Sequence, residues 1–417
     1  VPYMEEKQNS LSEVLDVAAQ AGHVLLENGA EIARVEETME RISSNFGASS
    51  RNFFVLSNGI FTTGEGGPER YAKVEFIPLK GGQMEKIVEI NRLSRDIEAG
   101  KYTLAEARTR IESIRNMPAK PHWEQILGSA FGSAGFCVLF GGGLIDALSS
   151  FVTGLLLWIF VLFISRPGFS KVLVNILGGA FATLLCIAFH RIGFGQSLGN
   201  IMIGALIPLI PGVAFTNGIR DIANEDYIAG ATRLMDALLV FLGISVGVCI
   251  VFLLFGYISG HYIELHGNFC NPGTANLLCQ TLAAFIGTIG FAVLFGVPRN
   301  QYLSCGIVGA AGWALYFSMV KYASLSAVES TFVASCFVAL ASRWAAVLRK
   351  CPVIIFLICG LFPMIPGGGV FWTTYYVTSR QLNAALAAGL TAVSVTLAIV
   401  FAVLAVTGLP RLRRKRK

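Results

Sequence analysis

The sequence predicts an α-helical polytopic membrane protein, with ten transmembrane helices in two inverted five-helix repeats after a small α+β cytoplasmic domain. Three observations predict it. Residues 126–417 hold a succession of apolar stretches, most near the ~20 residues a helix needs to cross a bilayer. Within them, Pro208-Leu209-Ile210-Pro211-Gly212 returns 155 residues later as Pro363-Met364-Ile365-Pro366-Gly367. Charge also divides the chain. Residues 1–125 carry 15 Lys/Arg against 19 Asp/Glu, and residues 126–417 carry 17 against 7. The expected divisions are therefore a cytoplasmic α+β domain over 1–122, a first five-span module over 123–258 and a second over 259–417.

Val1–Ser10 is polar, so a cytosolic start is expected. Ser10 and Glu13 form a capping-box pattern that opens an amphipathic helix through Glu27. Asn28-Gly29 interrupts it, and a second helix follows from Ala30 to Phe46. Phe53–Leu56, Gly59–Thr62 and Tyr71–Ile77 are short strands, with Gly64–Pro68 as the turn before the last. Helices at Met84–Ile97 and Leu104–Ile114, the latter capped by Thr103 with Glu106, complete a domain whose apolar helix faces need the sheet as a partner.

The ten spans fall at 126–143, 146–164, 172–189, 197–212, 233–257, 276–296, 302–320, 328–346, 353–366 and 383–407. The fourth and ninth end on the proline motif and are short, so their helices bend or stop inside the membrane. Five spans per half is an odd number, so the second half must enter with opposite orientation. With the first domain inside, Arg166, Lys171, Arg220, Arg233, Arg299, Arg343, Arg349, Lys350 and six residues of the tail Arg411–Lys417 lie inside. Arg191, Lys321 and Arg380 lie outside. This is the positive-inside bias, and it puts both termini in the cytoplasm. Directly after a span, the basic tail suits anionic lipid headgroups rather than nucleic acid.

Interrupted helices at matching places in two halves point to the substrate site of a secondary transporter. Proline removes a backbone donor and clashes with the preceding turn, so Pro208 and Pro211 free carbonyls, as do Pro363 and Pro366. Gly212 and Gly367 permit close approach. Such backbone survives at membrane depth only against protein or a wet cavity. Thr216 and Asn217 offer a hydroxyl and an amide to a small zwitterion, and Thr373 follows the second motif. Arg220 and Asp221 could clamp a carboxylate and an ammonium, or form an ion-pair gate; the plainer alternative is that they lock a cytoplasmic loop. Acids beside apolar spans are functional candidates, so Asp146, Asp236 and Glu329 are candidates for carrying a coupling proton, with an interfacial position as the alternative.

His261, Glu264, His266 and Cys270 share one loop without a zinc-protease spacing, and no metal or other cofactor is expected. The nine cysteines fall mostly within apolar spans and read as small buried thiols. The rival reading, a membrane-anchored hydrolase using the cytoplasmic domain, has Ser57 and His23 available but no Gly-x-Ser-x-Gly elbow. The absence of a phosphate loop likewise disfavours an ATP-driven pump. Not an enzyme is the expectation, with the first domain as a gate or assembly surface. Its Asn58-Gly59 turn and Asn91–Arg95 segment are the surfaces to inspect. Small-residue runs such as Gly141–Gly143 and Gly178–Ala180 would allow close helix contacts, within the chain or in a homo-oligomer.

The segment Ile210-Pro211-Gly212-Val213-Ala214-Phe215-Thr216-Asn217-Gly218-Ile219-Arg220-Asp221 resembles a motif of the bacterial threonine/serine exporter family. So do Glu27–Glu31 with Arg34–Glu37, Ser57–Phe61 and Asn91–Arg95. The resemblance covers nearly the whole chain. It implies a fused form of the family, located in the bacterial inner membrane, exporting threonine and serine with the proton gradient as driving force. Related two-component members are associated with dicarboxylate export, especially succinate, which is the alternative substrate class. After Pro366-Gly367 the second half has no copy of Asn217, Arg220 or Asp221, so a chemically symmetric site is not expected.

Overall fold

A computed structural model describes residues 10–48, 50–66, 69–78, 81–165, 168–260, 265 and 276–409. The chain divides into two compact units. One comprises the residues up to Ala119 together with Arg220–Arg233; the other holds Lys120–Ile219 and the residues from Leu234 onward.

In the first unit, α1 (Leu11–Glu27) begins at Ser10, whose hydroxyl accepts the Glu13 N–H at 3.2 Å, as a Ser-x-x-Glu start should. It ends in a turn where Gly29 takes a φ of 82°, which a side chain would oppose. The next helix, α2 (Ile32–Asn45), starts two residues later than the sequence suggests, because Glu31 serves as its N-cap position. The three strands are β1 (Ser50–Leu56), β2 (Gly59–Gly66) and β3 (Glu69–Phe76), paired antiparallel in that order. All three differ in extent from the sequence reading. Gly64–Gly66, expected in a turn, continue β2, while Gly67 and Pro68 lie outside the described residues. Val55 and Ile60 point into the core, and Phe54, Phe61 and Val74, which face one another across the strands, are exposed. Helices α3 (Met84–Glu98) and α4 (Leu104–Arg115) follow, the second with the expected Thr103–Glu106 capping box. The first unit is thus an α+β region with α1 against the sheet.

The remaining helices are α5 (His122–Leu139), α6 (Leu144–Ile164), α7 (Lys171–Arg191), α8 (Leu198–Leu206), α9 (Gly212–Ala223), α10 (Tyr227–Ser259), α11 (Leu277–Leu294), α12 (Tyr302–Tyr322), α13 (Ala327–Arg349), α14 (Val353–Leu361), α15 (Gly367–Thr378) and α16 (Leu382–Thr407). Short 3-10 turns join α8 towards α9 at Ile207–Leu209 and α14 towards α15 at Phe362–Met364. Among the described residues, eight helices are long and apolar enough to cross a membrane, or nine when α8 and α9 count as one bent span. The expected first span corresponds to α5, which is not among them; it opens with His122, Glu124 and Gln125 and carries several Gly and Ser. The polytopic helical bundle is clear, and the number ten is not reached by this measure.

Glycine lets the helices of this bundle approach closely. A Cβ at Gly128 would meet the Gly290 carbonyl at 2.9 Å, and one at Gly135 would meet Gly287 backbone at 2.9 Å, so α5 and α11 touch backbone to backbone. Gly179 and Gly247 do the same between α7 and α10. Val353–Thr378 is the most enclosed span, with 89% of its apolar window buried against 39–50% in the other seven. It sits where protein rather than lipid surrounds it.

Candidate transport site

Both proline motifs fold alike. Ile210 N–H donates to the Ile207 carbonyl at 2.9 Å and Ile365 N–H to that of Phe362 at 3.2 Å. Gly212 N–H reaches the Ile210 carbonyl at 2.9 Å, and Gly367 N–H that of Ile365 at 2.7 Å. The Ile207 carbonyl, which Pro211 cannot satisfy as a helical residue would, is therefore taken up by a tighter turn. At this point α8 and α9 bend by 65°, whereas Val353–Thr378 counts as one span.

The two motifs cross. Gly212 faces the ring of Phe362 and Gly367 faces the side chain of Ile210, each so closely that a Cβ would overlap it. Phe362 is itself held by Phe136, Phe291 and Phe295, with ring centroids 5.4, 4.0 and 5.3 Å away. Pro208, Pro363, Pro366 and Gly367 are buried, and Pro211 is half-buried. Beside the crossing lies a cavity of about 30 Å³ bordered by Leu206, Ile210, Ser245, Gly367 and Thr374, about room for one water molecule. The Thr374 hydroxyl donates to Ser245 at 2.7 Å, and Thr378 meets Cys249 at 2.8 Å one turn further along the same two helices. Thr373, the residue expected here, instead donates to the Gly369 carbonyl of its own helix at 2.7 Å. Trp372 is fully buried against Tyr375 and Tyr376 rather than displayed as an interfacial anchor.

Thr216 and Asn217 are buried in α9, and the Thr216 hydroxyl has no hydrogen-bond partner among the described residues. Arg220 and Asp221 follow in the first unit, but they do not face each other as a pair. Arg220 Nε lies 2.8 Å from Glu31, and Asp221 lies 2.8 Å from Arg233. Asp221 also accepts the Ile32 N–H at 3.1 Å, and Arg233 donates to the Ala30 carbonyl at 2.7 Å. Glu31 has no side-chain hydrogen bond to its own helix start. A carboxylate 189 positions away in sequence thus caps α2, satisfying an orphan N–H and the positive end of the helix dipole. Arg34 completes the cluster, holding Glu31 at 3.0 Å and Asn91 at 3.3 Å. Burial alone would raise the Glu31 carboxyl, but Arg220 and Arg34 outweigh it and hold it below the ordinary range. The sequence marks Glu31 only as part of a resembling motif and Arg233 only as a topology charge.

The three acid candidates occupy different surroundings. Asp146 is buried and accepts three backbone N–H bonds, from Gly143 at 3.0 Å, Gln196 at 2.6 Å and Ser197 at 3.0 Å. It ties the start of α6 to the start of α8. Asp236 is partly exposed and pairs with Lys171 at 2.8 Å. Glu329 is exposed in the capping box with Ser326 that begins α13. Among the described residues, Asp146 and Glu124 are the buried carboxylates of the second unit.

In the first unit, His23 Nδ1 lies 3.2 Å from Glu75, and Asn91 and Ser94 accept from Arg34 and Arg41 rather than facing outward. No group of three His, Cys, Asp or Glu arranged for a metal occurs among the described residues. His261, Glu264, His266, Cys270, Arg166 and the basic tail lie outside the described residues.

Comparison with known proteins bears on the same segments. The family model "Putative threonine/serine exporter" matches residues 16–255, and "Threonine/Serine exporter, ThrE" matches 280–408. A threonine/serine exporter of Corynebacterium glutamicum is 24% identical over 92% of this chain and 79% of its own length. A "Probable threonine/serine exporter" of Mycobacterium tuberculosis is 22% identical over 86% of this chain and 69% of its own. A "Probable succinate transporter subunit YjjP" of Klebsiella aerogenes is 22% identical over 61% of this chain and 98% of its own. No solved structure matches. Two family models that together span the α+β region, the bent α8–α9 pair and the second set of helices leave one conclusion: the chain belongs to the threonine/serine exporter family.

Proposed function

We propose that this protein exports threonine and serine by proton antiport, with the substrate passing between the crossed proline motifs. The observation that carries the reading is the reciprocal fit of Gly212 on Phe362 and of Gly367 on Ile210. A bent span and a second span interrupted by a matching 3-10 turn meet here and leave irregular backbone against protein, where alternating-access transporters place their sites. The 30 Å³ cavity there is too small for an amino acid, so this form is closed and the motifs must part to admit substrate. Ser245 and Thr374 offer hydroxyls to a hydroxylated zwitterion. Pro208, Pro211, Pro363 and Pro366 shape the path, and Thr216, Asn217 and Thr373 serve it as hydrogen-bonding groups. Arg220 and Asp221, in salt bridges with Glu31 and Arg233, are the gating candidates.

Ten spans in two inverted repeats remain our reading of the bundle, with domains over 1–122, 123–258 and 259–417. Helices α14, α15 and α16 and the intervening 3-10 turn each begin 155 residues after α8, α9, α10 and theirs. The Trp158–Gln125 hydrogen bond at 3.3 Å has a counterpart at the same offset in Trp313–Gln280 at 2.8 Å. The contacts Gly128–Gly290 and Gly135–Ala283 exchange under that offset, as a two-fold relation requires. In this topology both termini are cytoplasmic, the membrane is the bacterial inner membrane, and Asp146 lies at the outer end of α6.

Coupling follows from Asp146. An ionised carboxylate accepts all three N–H bonds; a protonated one turns an acceptor into a donor and loosens the clasp. A proton from outside would then free the start of α8, the helix that ends in the first motif. Asp236 and Glu329, paired and exposed, are weaker candidates. The test is export of labelled threonine and serine from proteoliposomes under an imposed pH gradient. Gradient-driven flux in the native protein, with Asp146→Asn exchanging substrate but no longer responding to the gradient, is expected. Unaltered coupling in Asp146→Asn would move the proton elsewhere.

A further inference from the structure

The α5–α11 contact creates a feature that transport does not use. Because Gly128 and Gly290 bring the helix backbones together, the bulkier neighbours Leu127, Phe131, Ile286 and Val293 flank a groove of about 450 Å³. That volume lies within the roughly 300–1,000 Å³ of ligand sites, and the accessible lining is almost wholly apolar. Charged side chains enter the lining where α5 begins and α11 has just ended. There, Arg299 pairs with Glu124 while its own side chain remains 65% exposed. Lys120 stands over the ring of Tyr302, another residue of the lining, with its ammonium 6.0 Å from the ring centroid. Trp123, also in the lining, is 61% exposed, the position of an interfacial aromatic.

We propose that this groove binds one anionic phospholipid, with an acyl chain along α5 and α11 and the headgroup phosphate on Arg299 and Lys120. The apolar trough accepts a chain and little else. Arg299 and Lys120 bring two positive charges to the mouth beside Glu124, and basic pockets between helices at the cytoplasmic face suit anionic headgroups. The proposal rests on the membrane placement of α5 and α11 and is independent of which solute is carried.

The test is quenching of tryptophan fluorescence by phospholipid with brominated acyl chains. The chain of residues 1–417 is reconstituted in phosphatidylcholine, and the Trp123 component is isolated by difference from Trp123→Phe. Brominated phosphatidylglycerol as a minor component should quench Trp123 more strongly than brominated phosphatidylcholine, with a preference of about fivefold for each cation engaged. Lys120→Gln, which leaves the Glu124–Arg299 pair intact, should lower that preference, and Ile286→Phe should weaken quenching by both lipids. Equal quenching by the two lipids, or a preference untouched by both Lys120→Gln and Arg299→Gln, would overturn the proposal. So would loss of the preference on adding millimolar inorganic phosphate, which would assign the cations to a free anion. These outcomes are read by fluorescence, so they stand apart from any failure of threonine flux.

Discussion

Asp221 is a helix cap supplied by a residue far away in sequence, and its cluster sets expectations for individual substitutions. Removing one partner from a buried ion pair leaves a charge without compensation, which typically costs ~3–5 kcal/mol. Glu31→Gln should therefore raise hydrogen exchange at the first turn of α2 and over 220–233 together, because Arg220 and Arg34 both lose their carboxylate. Unchanged protection would show that the cluster holds nothing. Acid acts on the same unit through Glu75, where a hydrogen bond from His23, against the pull of burial, and the Lys73 ammonium bring the carboxyl down to about 2. A depressed carboxylate contributes stability that is complete above the unfolded value of about 4.5 and lost as pH falls towards 2. Glu75→Gln should flatten that part of a stability profile and leave neutral pH nearly unaltered in slope. At the motif crossing, Gly212→Ala should cost more than Gly367→Ala. The Phe362 ring is wedged among three others and cannot retreat, whereas the tip of Ile210 can rotate away. Overpacking of this kind typically costs ~1–3 kcal/mol, and thermal unfolding of the two variants in detergent would rank them.

Helices and their breaks carry the next level. The Gln–Trp pairs of the two halves sit in different surroundings. Gln280 is fully buried and Trp313 nearly so, while Gln125 and Trp158 are only half-buried and further apart. Trp313→Phe should thus destabilise by ~1–3 kcal/mol through loss of the buried hydrogen bond to the Gln280 oxygen, and Trp158→Phe by less; equal losses would contradict this. What was legible in the sequence follows from range. The Ser10 cap, the capping box at Thr103 and the proline breaks are local chemistry, so the starts of α1 and α4 and the turns at 207–212 and 362–367 could be read from spacing. The strands came out longer because pairing with a neighbour extends a strand through Gly64–Gly66, which alone signal a turn. Partner choice is not local. Arg220 and Asp221 read as a charge pair because they are adjacent, but adjacent residues on a helix point in different directions, so each finds an opposite charge elsewhere. The Asp146 clasp was hidden for the same reason, since two of its three donors lie about fifty residues on.

For the whole molecule, the proposed function assigns substrate passage to the paired proline motifs and proton linkage to the Asp146 clasp. Family membership supports a secondary transporter for threonine and serine export. The most direct measurement is uptake and efflux of labelled threonine, serine and succinate in proteoliposomes of the native chain, with and without an imposed pH gradient. The account predicts threonine and serine movement that accumulates against their gradient when the pH gradient is imposed, with succinate inert. Succinate movement alone, or amino-acid flux indifferent to the pH gradient, would contradict it.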